Sequence, residues 1–144
     1  MTGREFLTLA MFLASRNDEA AWRSSISRGY YAAFHVARQL LDDLGFNVPH
    51  ADRAHAYLWF RLQNTGVPSV DRAGNLLQDL RSERNTADYD LIPAIDRAAA
   101  RRELQTAERI ILALDAAAVE PIRSQMITAI RAYEAAIGQV TFRP

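Results

Sequence analysis

Apolar positions along the chain recur at the three-to-four-residue spacing of helices, and no stretch of useful length alternates with period two. The pattern predicts an all-α protein of five to six helices. A first helix is expected over 3–14, with Phe6, Leu9 and Leu13 on one face. The second is the longest, about 18–44, opened by Asn17 or Asp18 and closed by Gly45. Its apolar positions are Trp22, Ile26, Tyr30, Ala33, Phe34, Ala37, Leu40, Leu41 and Leu44. At 100° per residue they fall in a stripe about 120° wide. A third helix is expected over 52–64, ending before Gly66 and Pro68. A fourth runs over 69–85, with Ser69 as its cap, and 86–93 is the longest irregular stretch. A fifth covers 94–118. A sixth starts at Glu120-Pro121, with Pro in the first turn, and ends at Gly138. The tail, 139–144, is expected to fray. Short connections favour antiparallel neighbours, so the expected architecture is an up-and-down antiparallel bundle forming one domain over 1–144.

Composition narrows the function classes. The chain has 144 residues and no cysteine, which excludes disulfides, thiolate metal sites and cysteine nucleophiles. No apolar run approaches the ~18 residues that span a bilayer, so no membrane association is expected. The acidic Glu5 and the lack of a small-residue cleavage site argue against a secretory leader, and a cytoplasmic protein is expected. Seventeen basic residues balance seventeen acids, and every basic residue is arginine. A neutral chain lacks the basic excess of a general nucleic-acid binder, so any phosphate contact must be local. The guanidinium fork suits that local role.

Two places on the chain stand out chemically. On the second helix, opposite the apolar stripe, Ser24, Arg28, Tyr31, His35 and Asp42 fall within about 60° of one another at 100° per residue. Arg28, Tyr31 and His35 stack along one line. Such a face is either solvated or an interface, and the mixture of Tyr, His and Arg suits an interface. On the fourth helix, Arg84 falls in angle between Leu77 and Leu80, inside the apolar stripe. A guanidinium there must snorkel, pair with an acid or meet a partner. Around it, Arg81 to Asp90 is dense in hydrogen-bonding groups. Asp88 is placed to pair with Arg84 near the helix end. His50 and His55 lack metal-ligand spacing, Ser24, Ser25 and Ser27 lack the glycines of a nucleophile elbow, and no glycine-rich phosphate loop exists. No metal and no cofactor are expected.

The segment Ser27-Arg28-Gly29-Tyr30-Tyr31-Ala32-Ala33-Phe34-His35-Val36-Ala37, with Arg84-Asn85-Thr86-Ala87-Asp88-Tyr89 later in the chain, resembles paired motifs of small prokaryotic HEPN-domain proteins. The likeness covers about 18–91. It implies a helical bundle that homodimerises, with links to toxin–antitoxin, defence and RNA-cleavage systems. It also implies RNA as a ligand and a cognate nucleotidyltransferase antitoxin as a partner, with Tyr89 a candidate target of modification. Many HEPN proteins are metal-independent ribonucleases in which an Arg, followed by a polar residue, steadies phosphate and a nearby His moves protons. Arg84 and Asn85 match the first half of that signature. Tyr89 stands where the shortest-spaced His belongs. A phenol is a weaker proton carrier than an imidazole at neutral pH.

Two readings follow. In one, Arg84, Asn85, Asp88 and Tyr89 form a catalytic or phosphate-binding centre, and Arg28, Tyr31, His35 and Arg81 contact RNA or a nucleotide. His35 joins that centre if the bundle brings it to Arg84. In the other, Arg28, Arg84, Asp88 and Tyr89 form a polar network that locks the second and fourth helices together in a non-catalytic dimerisation or partner-binding module.

Overall fold

The structure is a computed structural model, and it describes residues 1–143. They form six helices: α1 (Arg4–Ser15), α2 (Glu19–Asp43), α3 (Arg53–Leu62), α4 (Pro68–Tyr89), α5 (Arg97–Ala117) and α6 (Ile122–Ile137). The all-α expectation holds. Among the described residues the β-structure is one isolated bridge, Phe46 with Phe142.

Local chemistry sets most boundaries. The Asp18 carboxylate accepts from the Ala21 amide at 2.7 Å and opens α2. Asp96 does the same for α5 through the Ala99 amide at 2.8 Å, so that helix starts at Arg97, three residues later than expected. Pro68 occupies the first turn of α4 behind Val67, which replaces the expected Ser69 cap. Gly138, at φ 70°, closes α6 in the left-handed conformation that glycine adopts without strain.

The largest departure is at the end of α4. The sequence reading ended this helix near Asn85 and made 86–93 irregular. In the structure the helix continues through Thr86, Ala87, Asp88 and Tyr89. The cause is tertiary. Arg23, buried on α2, donates to the carbonyl oxygens of Ala87 at 3.0 Å and Asp90 at 2.7 Å, and also reaches Thr86 and Pro93. One guanidinium thus satisfies the orphan carbonyls of a helix terminus. It also pins the following loop.

Helix α2 is central. It packs against α1, α3, α4 and α5, and its buried residues lie all round it rather than on one stripe. Tyr30, Phe34 and Leu41 meet Leu58, Leu77, Leu80, Ile110 and Leu114 in the main core. Going back along α2, Tyr31 meets Arg84, Ser27 hydrogen-bonds Asp88, and Arg23 reaches the carbonyl of Asp90 just past the end of α4. These pairings make the two helices antiparallel, as expected. α3 and α4 approach closely at Gly74, where a Cβ would lie 2.8 Å from the Gln63 amide nitrogen.

The tail is a second correction. Gln139 to Arg143 are tied down rather than frayed; Pro144, the end of the expected fraying, lies outside the described residues. The Glu134 carboxylate, fully buried on α6, accepts from the Thr141 amide at 2.8 Å, the Phe142 amide at 3.2 Å and the Arg61 Nε at 2.8 Å. Phe142 then packs on Phe46 beside Gly45. Among the described residues no helix is long and apolar enough to cross a membrane.

Candidate functional site

The antiparallel pairing of α2 and α4 brings both sequence motifs to one place. Tyr31 is its centre. The Arg28 guanidinium, from the same helix, lies 5.2 Å from the Tyr31 ring, and that of Arg84, from α4, lies 5.1 Å from it. Arg28 also sits 5.1 Å from the ring of Phe6 on α1. Arg84 reaches the Tyr89 ring at 5.4 Å. Such contacts favour a guanidinium by the quadrupole of the ring without neutralising its charge.

The carboxylates are few. Arg84 Nε lies 2.9 Å from Asp88 Oδ2, and the same oxygen accepts from the Ser27 hydroxyl at 3.0 Å. Arg84 Nη1 donates to Asn85 Oδ1 at 3.1 Å. Among the described residues no carboxylate lies within ion-pair distance of Arg28 or Arg81. Arg81, one turn before Arg84, extends towards Trp59 of α3, 5.8 Å from its ring. The Nε atoms of Arg81 and Arg84 are buried without an aligned acceptor, as is Trp59 Nε1. Buried donors in native proteins are normally satisfied; of these three, Arg84 Nε has the Asp88 carboxylate beside it, and Arg81 Nε and Trp59 Nε1 have no protein acceptor among the described residues.

A histidine enters from an unexpected helix. His55, on α3, is 6% exposed, and its Nδ1 lies 2.5 Å from the hydroxyl of the fully buried Tyr30. Burial and then Arg81 depress its pKa; Asp52 opposes them and Arg84 adds to them, leaving it at about 4. Burial pushes the Tyr30 hydroxyl well above the usual range. Both groups are therefore neutral near pH 7, joined by one hydrogen bond.

His35 does not join Arg84. It stacks on Phe6 at 5.6 Å, where Gly3 permits a backbone approach that any Cβ would block. Burial, then Arg38 and Arg28, lower its pKa. It borders instead a cavity of about 480 Å³ between the start of α1, the second half of α2 and the end of α5. Of the charged groups there, Arg4 pairs with Asp115, and Asp43 accepts from the Gln39 amide.

The structure thus gathers Arg28, Tyr31, Arg84, Asn85, Asp88 and Tyr89, sets Arg81 at one end and His35 apart. The expected solvated face of α2 is partly covered: Tyr31 and His35 are half-buried under α1. Of the expected polar network, Arg84 and Asp88 are paired and Asp88 is tied to α2 by Ser27, which the expectation did not include, whereas Arg28 forms no hydrogen bond among the described residues and Tyr89 is 74% exposed. Sequence reasoning missed Arg23 and His55. For Arg23 the one signal was an i, i+4 acid, Glu19, whose carboxylate it meets at 2.9 Å. For His55 there was none.

The family model of the HEPN domain matches residues 2–116. No curated protein and no solved structure matches the chain.

Proposed function

The chain belongs to the HEPN-domain family, and on that footing we propose that it binds the phosphate of an RNA or nucleotide at the cluster formed by Arg28, Tyr31, Arg81 and Arg84. One observation carries the reading. Two guanidiniums, Arg28 and Arg84, meet over the Tyr31 ring with Arg81 one turn away over Trp59, and among the described residues a single carboxylate, Asp88, lies in ion-pair distance of the three. An arginine kept free of acids beside half-buried rings is poised to match an anion. Asn85 adds an amide, and Tyr89 an exposed ring on which a base can stack. The protein acts as a homodimer in a toxin–antitoxin or defence setting, with a nucleotidyltransferase as its cognate partner.

The test is binding of short single-stranded RNA at several salt concentrations. Arg84→Ala and Arg28→Ala each weaken affinity by about tenfold to a hundredfold, the range of a lost charged hydrogen bond. Each also flattens the salt dependence. RNA affinity unchanged in both variants refutes the reading.

Metal-independent cleavage is the second reading, favoured by the Tyr89 ring beside the Arg84 guanidinium. A phosphate-directed guanidinium contributes about two to three decades in rate, the scale of a lost oxyanion donor. Cleavage then survives EDTA, is lost in Arg84→Ala, is poorly rescued by Arg84→Lys, and rises in Tyr89→His. Absence of cleavage in both wild type and Tyr89→His leaves the binding function alone.

A further inference from the structure

We propose that the loop after α4 docks on a second copy of this chain: Leu91 and Ile92 of one copy seat on the outer face of α1 and α5 of another, beside Phe12 and Leu112, with Asp90 and Asp96 towards Arg101 and Arg109. This contact is separate from the two-fold pairing of a homodimer, and it does not involve the phosphate cluster.

Two observations meet at the loop. Its large side chains face water: Ile92 is 95% exposed and Leu91 75% exposed. Its backbone is nevertheless held. Arg23 donates to the carbonyls of Asp90 and Pro93, the Asp90 carboxylate accepts from the Ile92 amide at 3.2 Å, and the Glu19 carboxylate accepts from the Ile95 amide at 3.2 Å. A buried arginine thus keeps apolar side chains pointing outward. Adjacent exposed apolar residues mark a contact surface, and a loop already fixed loses little entropy on docking.

Charge selects the occupant. From Asp88 to Asp96 the exposed charged residues are Asp88, Asp90 and Asp96, with no cation among them. Asp88 is paired with Arg84, whereas Asp90 and Asp96 have no cation in ion-pair distance among the described residues. Exposed acids oppose both an RNA strand and an anionic lipid surface. They suit an apolar surface edged by cations, and this chain carries one. α1 lies antiparallel along α5, with Arg4 on Asp115 at one end and Arg97 on the Arg16 carbonyl at the other. The water-facing side of that pair holds Met11 and Phe12 on α1 and Leu112 on α5. At 100° per residue the exposed Arg101, Arg109 and Leu112 fall within about 80° on α5. Neither arginine has a carboxylate in ion-pair distance among the described residues. Of the acids bordering this face, Asp115 meets Arg4, Glu5 accepts from the Thr2 amide, and Glu108 is half-buried. Within one copy Leu112 stands about 24 Å beyond Asp96 along α5, at 1.5 Å per residue, so the loop meets it only on another copy. A net charge of zero leaves no overall repulsion between copies. The two surfaces differ, so the contact is head-to-tail and repeats from copy to copy. It is also small, hence weak and reversible.

Sedimentation velocity of the full chain between about 5 and 200 μM, in low and high salt, is the test. The weight-average mass rises past that of a dimer with concentration, and high salt lowers it. Ile92→Ser, Leu112→Ser and Arg109→Asp each raise the dissociation constant of this association by about tenfold or more. All three side chains are exposed, so the variants fold, which circular dichroism checks. Mixing Ile92→Ser with Leu112→Ser restores association, because each supplies the surface that the other lacks. A mass that stops at monomer or dimer across the range overturns the proposal. Loss in Ile92→Ser alone, with Leu112→Ser and Arg109→Asp unchanged, overturns it as well, since the loop then meets a different surface. Mixed variants that stay apart do the same, since one surface then pairs with itself. Flotation on phosphatidylserine vesicles that depends on Ile92 gives the loop to a membrane and also overturns it.

Discussion

Glu134→Gln tests the energetics of the fold at its most buried charge. The carboxylate is 0% exposed and its ion partner, Arg61, only 3% exposed. Burial alone would push the Glu134 pKa up. The Thr141 hydroxyl and amide and the Arg61 guanidinium outweigh burial and hold it below the usual carboxylate range. Replacing Glu134 with the neutral amide keeps the shape and strands a guanidinium that already has one nitrogen, Nη2, buried without a partner. Breaking a buried pair in this way costs about 3–5 kcal/mol. That is a large share of the ~5–15 kcal/mol that stabilises a typical domain. At about 3–4 °C per kcal/mol for a chain of this size, the thermal midpoint falls by roughly 10–20 °C. Urea titration followed by circular dichroism measures the loss, and hydrogen exchange shows whether α6 and the tail open first. The double variant Glu134→Leu with Arg61→Met recovers part of it, since apolar packing replaces the ion pair itself while the Thr141 and Phe142 amides lose their acceptor. A loss below about 1 kcal/mol for Glu134→Gln, with the tail still protected, refutes the reasoning, because an uncompensated buried charge cannot be that cheap. The sign of the pH dependence is fixed as well. A carboxylate with a depressed native pKa stabilises the fold above its unfolded pKa, and that contribution is lost as pH falls through the native value.

Three further outcomes follow from the geometry. Arg23→Met removes the donors that hold the end of α4; hydrogen exchange at Asp88 to Asp90 accelerates, and stability falls by about 2–3 kcal/mol, the scale of a lost charged hydrogen bond. Gly74→Ala forces a Cβ against the Gln63 backbone at 2.8 Å, where no flexible side chain can yield; it costs about 1–3 kcal/mol by chemical denaturation, whereas the same change would stabilise an open helix. His55, neutral in the fold with a pKa of about 4, takes up a proton on unfolding from its ordinary value near 6.5; stability therefore declines as pH falls from about 6.5 towards 4, and His55→Phe flattens that limb of a pH–stability profile.

The motifs were legible because their geometry is local. Angular counting on a single helix aligns Arg28 with Tyr31 and puts Arg84 in an apolar stripe, and one antiparallel packing then brings them together. The helix end at Tyr89 was not legible. Thr, Asp and Asn are weak helix formers, and local propensity ends α4 near Asn85. The decisive groups are backbone carbonyls met by Arg23, 63 to 70 residues earlier in the chain, and carbonyls leave no trace in side-chain patterns. His55 was hidden for a related reason. Its spacing to other ligands says nothing, and its environment depends on which face of α3 the loop from α2 presents. Glu134 falls on the inward face of α6, but only the folded-back tail supplies the amides that make such burial tolerable.

The clasp between α6 and α3 has a practical bearing on how the protein is handled. Family likeness ends at residue 116, and Met126, Ile130 and Glu134 all lie past it. A version cut at that border would uncover the side of α3 that carries Tyr57 and Arg61. It would also open the apolar surface now lined by Met126 and Ile130. Such a fragment invites precipitation during purification, and an inactive preparation of it would say nothing about Arg84. The border drawn by ancestry and the border drawn by solubility are different places on this chain, and expression should follow the second.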